Sequence, residues 1–182
     1  PANPEANLHL ALDGQNPELD DFTHAESADG LRAVRLVQTL HGIRISGRYA
    51  IGTFDREGNL LGLVTRLFPL PSLVSPTRPD ASAAMNALAV VAPSIASTDA
   101  SLAWLEAALV DVDLEYSVEL AWLPANAIDP ASALTLSWEI RLRDGARSAR
   151  IQLDATTHAV LRAVDQTASQ AETWYTHGTI ET

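Results

Sequence analysis

Hydrophobic positions along this chain recur in short alternating runs, interrupted by one helical stretch. From Arg32, "RAVRLVQTL" places Val34, Leu36 and Leu40 on one side and Arg35, Val37 and Thr39 on the other. That period of two is what a half-buried strand requires. After His41-Gly42 the alternation resumes in "IRISGRYAIGTF", which puts Ile43, Ile45, Tyr49 and Ile51 on one face. A polar turn, "DREGN" at 55–59, leads into a third run, "LLGLVTRLF". Strands joined by turns this short are antiparallel, because a parallel pair needs a long crossover. His41 sits beside Gly42 where a tight turn wants a polar residue next to one with positive φ, so it reads as a hairpin corner rather than a catalyst or metal ligand.

The pattern changes at "PLPSLVSPTRPD" (69–80), whose four prolines cannot continue a strand and read as a connection. Asp80 is then positioned to cap a helix running to about residue 92 and ended by Pro93, with Ala81, Ala84, Met85, Leu88 and Ala92 at helical spacing. "STDASLAWLEAALV" predicts a second short helix, capped by Ser97, Thr98 or Asp99. Strands return in "YSVELAWL", with Tyr116, Val118, Leu120 and Trp122 on one side. They continue in "LTLSWEIRLR", where Leu134, Leu136, Trp138, Ile140 and Leu142 face in and Thr135, Ser137, Glu139, Arg141 and Arg143 face out. Asp144-Gly145 predicts a tight hairpin to "ARSARIQL", and Asp154 to Thr157 a turn to "HAVLRAV". Helices and strands segregate instead of alternating, so the fold class is α+β. Residues 1–29 read as an irregular acidic lead-in and 166–182 as a polar tail.

Charge sharpens this organisation. The chain has 182 residues and a formal net charge of −11. Its twelve basic residues are all arginine, and seven of them fall between residues 31 and 79 against only Asp55 and Glu57. Acidity on this scale argues against nucleic acid as a partner, which calls for a dominant basic face. The arginine block suits either strand edges protected from aggregation or recognition of an acidic protein surface. The most apolar stretch, "AAMNALAVVAPSIA", is broken by Pro93 and predicts no membrane span, and no secretory leader pattern opens the chain.

Candidate chemistry is sparse. There is no cysteine, hence no disulfide scaffold or thiolate metal site. The five histidines, His9, His24, His41, His158 and His177, never fall within four residues of one another, which excludes a His-Glu-x-x-His site. No phosphate-cradling loop and no G-x-S-x-G elbow occurs. "DGQNPELDD" lacks calcium-loop spacing, and the acid pairs Asp20-Asp21 and Asp111/Asp113 read as solvated turns. Trp104, Trp122 and Trp138 lie on apolar stripes and fill the core. Trp174, Tyr175 and His177 stand in a tail with no strand or helix of its own, either docking on a partner or folding back. The chain reads as non-enzymatic, without cofactor or metal.

The stretch "AVRLVQTLHGIRISGRYAIGTFDREGNLLGLVTRLFP" (33–69) resembles the FTP module, the fungalysin/thermolysin propeptide motif. Val34, Arg35, Gln38, Thr39, Gly42, Ile43, Gly47, Asp55, Gly58, Asn59 and Val64 carry the resemblance. "VELAWLP" (118–124), "LTLSWEIRLR" (134–143) and "ARIQLDATTHAVLRAV" (149–164) are similar to a PepSY domain, with Trp138 and Asp154 among its structural marks. His158 stands where that family's last turn carries glycine, and Leu40 where the first often has an aromatic. The resemblance implies an FTP module at 30–70, a Pro-rich linker at 71–80 and a cystatin-like PepSY domain at 81–165, each a small antiparallel sheet. It further implies a secreted or periplasmic bacterial pro-region that inhibits a zinc metalloprotease and assists its folding, the catalytic domain being its partner. The alternative is an FTP–PepSY interaction module in an extracellular protein without a protease. On either reading Arg35, Arg44, Arg48 and Arg66 are docking candidates, joined by Trp174, Tyr175 and His177. Gln38, Thr39, Gly42, Gly47, Gly58, Trp138 and Asp154 are structural.

Overall fold

A computed structural model describes residues 4–12, 18–28, 30–111, 113–126, 128–129 and 132–167. The fold is α+β, and the chain divides into two compact units. The first holds the described residues through Ser75 and those within Pro124–Ala133. The second holds those within Pro76–Leu123 and from Leu134 onward.

The first unit opens on helix α1 (Pro4–Leu12) and strand β1 (Leu19–Glu26), followed by β2 (Arg32–Leu40), β3 (Ile43–Phe54) and β4 (Leu60–Thr65). Neighbours in the order β1–β2–β3–β4 pair antiparallel. The three expected strands are thus joined by a fourth, and the expectation of an irregular lead-in is corrected. Its residues order because Leu8 and Leu12, one turn apart on α1, are buried against Val34, Leu36, Ala50 and Phe54. The Asn7 side chain also donates to Gly58 O at 2.8 Å. Strand β1 has weak periodicity and takes its shape from pairing with β2 (Thr23 opposite Arg35, Ala25 opposite Ala33).

Between β2 and β3, Leu40 pairs with Ile43 across a two-residue loop. Both loop residues are left-handed, His41 at φ 56° and Gly42 at φ 68°, the backbone of a tight hairpin whose twist matches its strands. Register then breaks: Thr39 lies opposite Arg44, but Val37 lies opposite Tyr49. The extra residues form a bulge around Gly47, at φ 76°. A bulge reverses which side chains face the core. Ile43 and Ile45 are buried before it, and Arg48, Ala50, Gly52 and Phe54 after it. Tyr49 and Ile51 therefore leave the face that Ile43 and Ile45 occupy, a correction to the uninterrupted alternation read from sequence. Gly52 marks the close approach of α1, since a Cβ there would come within 2.9 Å of Leu8 Cδ1.

The second unit carries α2 (Ala81–Thr98), a 3₁₀ turn at Ala100–Leu102, α3 (Leu105–Ala108), and β5 (Glu115–Pro124), β6 (Leu134–Asp144), β7 (Arg147–Asp154) and β8 (Val160–Asp165). The strand order is β5–β6–β7–β8, with β6–β7 and β7–β8 antiparallel. Asp80 caps α2, its Oδ1 accepting from Ser82 N–H at 3.0 Å, and Asp99 does the same for the 3₁₀ turn through Ser101. Pro93 does not end α2. It is exposed, and the buried stripe Ala84, Leu88, Ala92 and Ile95 runs past it, so packing outweighs the one helical hydrogen bond lost. Because it continues through Pro93, α2 is by length and composition alone long and apolar enough to cross a membrane. Its stripe packs in a core with Trp104, Leu105, Trp138, Ile140, Leu142, Ile151 and Leu153.

A candidate docking surface on the first sheet

One face of the first sheet packs on α1, and the other gathers two of the four candidate arginines around an aromatic ring. Arg35, Ile51 and Val64 lie side by side on β2, β3 and β4, with Val37 and Tyr49 as the adjacent pair. The guanidinium carbon of Arg35 lies 4.9 Å from the Tyr49 ring centroid, and that of Arg66 lies 5.8 Å away. Arg66 is held there because its N–H donates to Tyr49 O at 2.7 Å, extending the β3–β4 ladder by one bond. Val64 beside them is 57% exposed. Two cations flanking a tyrosine, next to an uncovered aliphatic side chain, match the composition of protein–protein contact centres.

The other two arginines are placed differently. Arg44, opposite Thr39, is half-buried. Arg48 is 1% exposed and cannot belong to a surface patch, a correction to the sequence reading. The bulge at Gly47 turns it to the core side, next to Ala50. Its guanidinium carbon stacks 4.6 Å from the Phe68 ring centroid, and among the described residues none of its three side-chain nitrogens has a hydrogen-bond partner. Burial holds its pKa below the usual arginine value, and Asp129 acts in the opposite sense.

The residues read as structural meet here too. Buried Gln38 binds Phe68 through both halves of its amide, donating to the carbonyl at 2.7 Å and accepting from the N–H at 3.3 Å. His41 N–H donates to the Glu18 carboxylate at 2.9 Å, and His41 Nε2 lies 2.7 Å from Leu73 O. Together Gln38 and His41 fasten the segment 66–75, which has no helix or strand of its own. Thr39 is buried, its N–H donating to Glu18 O at 2.9 Å. Gly58, at φ 89°, closes the β3–β4 turn in which Asp55 accepts from Asn59 N–H at 2.7 Å.

In the second unit Trp138 is buried in the core, and Asp154 shapes the β7–β8 turn. Its Oδ1 accepts from Thr157 N–H at 2.7 Å and Thr156 N–H at 2.8 Å. Those bonds hold its carboxyl below the usual aspartate pKa, the Thr157 bond contributing most. Glu139, expected to face solvent, is instead buried. Its carboxylate takes Arg141 Nη2 at 2.8 Å, Arg150 Nη2 and, at 3.4 Å, Gln152 Nε2. Cross-strand pairing places Gln152 opposite Glu139 and Arg150 opposite Arg141, so the register itself builds this cluster. Alternation assigned Glu139 the correct face but could not show that the face is covered there.

Trp174, Tyr175 and His177 lie outside the described residues. Among the described residues no group of three or more His, Asp or Glu side chains is placed to hold a metal ion.

No protein-family model matches this chain, and no curated protein matches it. Among solved structures, the Bacillus megaterium YpeB C-terminal domain is similar to 91% of this chain at 14% sequence identity and a TM-score of 0.41. The match spans 66% of that chain.

Proposed function

We propose that this chain is a non-catalytic pro-region of a secreted bacterial zinc metalloprotease, acting as its inhibitor and intramolecular chaperone. The observation that carries the reading is the group in which exposed Arg35 and Arg66 flank the half-buried Tyr49 ring beside exposed Val64. It offers a rigid, cationic and partly apolar face on the hairpin whose residues carry the FTP resemblance. A chaperone of this kind binds the native-like partner better than its unfolded chain and shifts the folding equilibrium by mass action. A sheet face fixed by antiparallel ladders on both sides of β3 is preorganised for that task. The partner supplies the zinc, and this chain supplies the surface.

The test adds the purified chain in trans to a denatured and a native thermolysin-like catalytic domain. Expected are a higher refolding yield and saturable inhibition. Neither effect, with binding absent, overturns the reading. Binding without inhibition or a folding effect points instead to an interaction module of an extracellular protein without a protease.

A further inference from the structure

We propose that the outer edge of β4 is the contact through which two copies of this chain pair, antiparallel and about a two-fold axis at Val64. The inference is independent of the protease reading and starts from the direction of backbone groups. Among the described residues β4 pairs with β3 and with no other strand. Arg66 N–H donates to Tyr49 O, and along an antiparallel strand the bonding direction alternates from residue to residue. Val64, opposite Ile51, therefore also bonds toward β3. The N–H and C=O groups of Leu63 and Thr65 point the other way, along the outer edge.

Edges of this kind are ordinarily blunted by charge, proline or a bulge, because an open ladder recruits another strand. The opposite edge of the same sheet is blunted in that way: the sequence of β1 carries Asp20, Asp21 and Glu26, and its pairing is bulged between Asp20 and Thr23. The sequence of β4, "LLGLVT", has neither charge nor proline, and all six residues are exposed. Its one irregularity, where Thr53 pairs with Gly62 but Phe54 with Leu60, lies at its start and leaves residues 62–65 in regular register.

Charge at the two ends of β4 selects a second copy as the occupant. Exposed Glu57 stands in the turn before the strand and exposed Arg66 directly after it. Arg56, the cation of that turn, lies against Gly30 instead. Antiparallel pairing of two copies sets each end beside its opposite, whereas parallel pairing would set Arg66 beside Arg66. With Leu63 of one copy opposite Thr65 of the other, both pairs exchange their N–H···O bonds, and the two Val64 side chains meet at the closer-spaced position between them. Gly62, with open space where a β-carbon would stand, leaves room for the Arg66 of the other copy. The two Arg66 residues are then separated by about 13 Å along the strands, beyond the ~8 Å over which salt leaves charges in contact. A two-fold contact closes on itself and gives a dimer rather than a fibre. An edge this short belongs with the weak, reversible interfaces.

The experiment is sedimentation equilibrium of the full chain, alone and without a protease, up to a concentration of about 0.5 mM, where contacts of this size associate. Expected is a reversible monomer–dimer equilibrium, with amide exchange at Leu63 and Thr65 slowing as the dimer fills. Val64→Lys and Val64→Glu each set like charges face to face across the axis, and each is expected to weaken dimerisation about tenfold or more. An equimolar mixture of the two variants is expected to restore it, because opposite charges then meet. Val64 is exposed, so both variants should fold. A wild type that stays monomeric overturns the proposal, and protection of the Leu63 and Thr65 amides in that monomer would assign the edge to an occupant within the chain. A dimer untouched by either variant, or lost in both and not restored by mixing, also overturns it. Should a variant fail to fold, wild-type exchange decides: protection of Leu63 and Thr65 that rises with concentration supports the pairing, and protection independent of concentration overturns it.

Discussion

Gln38 satisfies both backbone polar groups of Phe68, donating to its carbonyl at 2.7 Å and accepting from its N–H at 3.3 Å. The residues are thirty apart in sequence, and the pair fastens the segment after β4 to the bulged end of the β2–β3 hairpin. Gln38→Leu keeps the volume and removes both bonds, leaving the Phe68 N–H and carbonyl without these partners. The expected loss is about 2–3 kcal/mol, two bonds at ~1 kcal/mol plus part of a desolvation penalty. Faster proteolytic nicking between residues 69 and 75 should accompany it, because the segment then loses its Gln38 bonds and keeps the one from His41 Nε2 to Leu73 O. Urea denaturation and limited proteolysis check both effects. An unchanged nicking rate would show that Gln38 does not restrain the segment.

The cations flanking Tyr49 should act in docking where Arg48 does not. Replacing Arg35 and Arg66 together by Gln removes two exposed charges and disturbs no buried contact, so stability should change by less than about 0.5 kcal/mol. Affinity for a metalloprotease catalytic domain should fall, mainly through a slower association rate, and its salt dependence should flatten. Surface plasmon resonance at two salt concentrations reads both. Wild-type kinetics and salt dependence in the double variant would remove this face from the docking model.

How much of this fold is legible in the sequence depends on what fixes each feature. Strands β2 to β8 are legible from their apolar runs and the turn residues between them, although β4 is exposed along its whole length and half of β8 is, so that burial does not repeat the pattern there. The corner role of His41 was equally legible, since Gly42 supplies the second positive φ of a two-residue loop. Strand β1 was not, because its order comes from pairing with β2 and not from its own period. The inward turn of Arg48 and the outward turn of Tyr49 were hidden for a further reason. A bulge changes parity without changing composition, and Gly47 was its sole local sign. Glu139 was concealed by its neighbours: Arg150 and Gln152 belong to the next strand, and only the register of β7 brings them to it.

His158 offers a stabilising change. It adopts φ 59° at the end of the β7–β8 turn, a backbone region in which a β-carbon costs about 1 kcal/mol and glycine nothing. The turn's backbone bond from His158 N–H to Asp154 O, at 2.9 Å, survives substitution. His158→Gly should therefore raise stability by about 0.5 kcal/mol, the relieved strain exceeding the chain entropy that glycine adds to the unfolded state. His158→Ala keeps the strain and should gain nothing. Midpoints from chemical denaturation separate the two, and a gain in the alanine variant equal to that in glycine would place the effect in the imidazole instead.

The same turn sets an acid limit on stability. Asp154 accepts from the N–H groups of Thr157 and Thr156, and these bonds, the first being the larger cause, lower its pKa in the folded state. A carboxyl with a depressed folded pKa binds protons more readily in the unfolded chain. Its contribution is therefore present above the unfolded value of about 3.9 and is lost as pH falls toward the folded one. Asp55, Asp80 and Asp165 are lowered in the same direction, each chiefly by a hydrogen bond from a nearby residue. Stability should consequently be flat near neutrality and decline below about pH 4. Asp154→Ala should cost about 1–2 kcal/mol at pH 7 through loss of the two turn bonds. At pH 3, below the unfolded value of about 3.9, the gap between the variant and wild type should narrow, because the unfolded wild-type carboxyl then binds a proton more readily than the folded one. Denaturation at pH 7, 5 and 3 follows that gap, and a constant difference across all three would mean that the turn bonds do not depend on the ionised carboxylate.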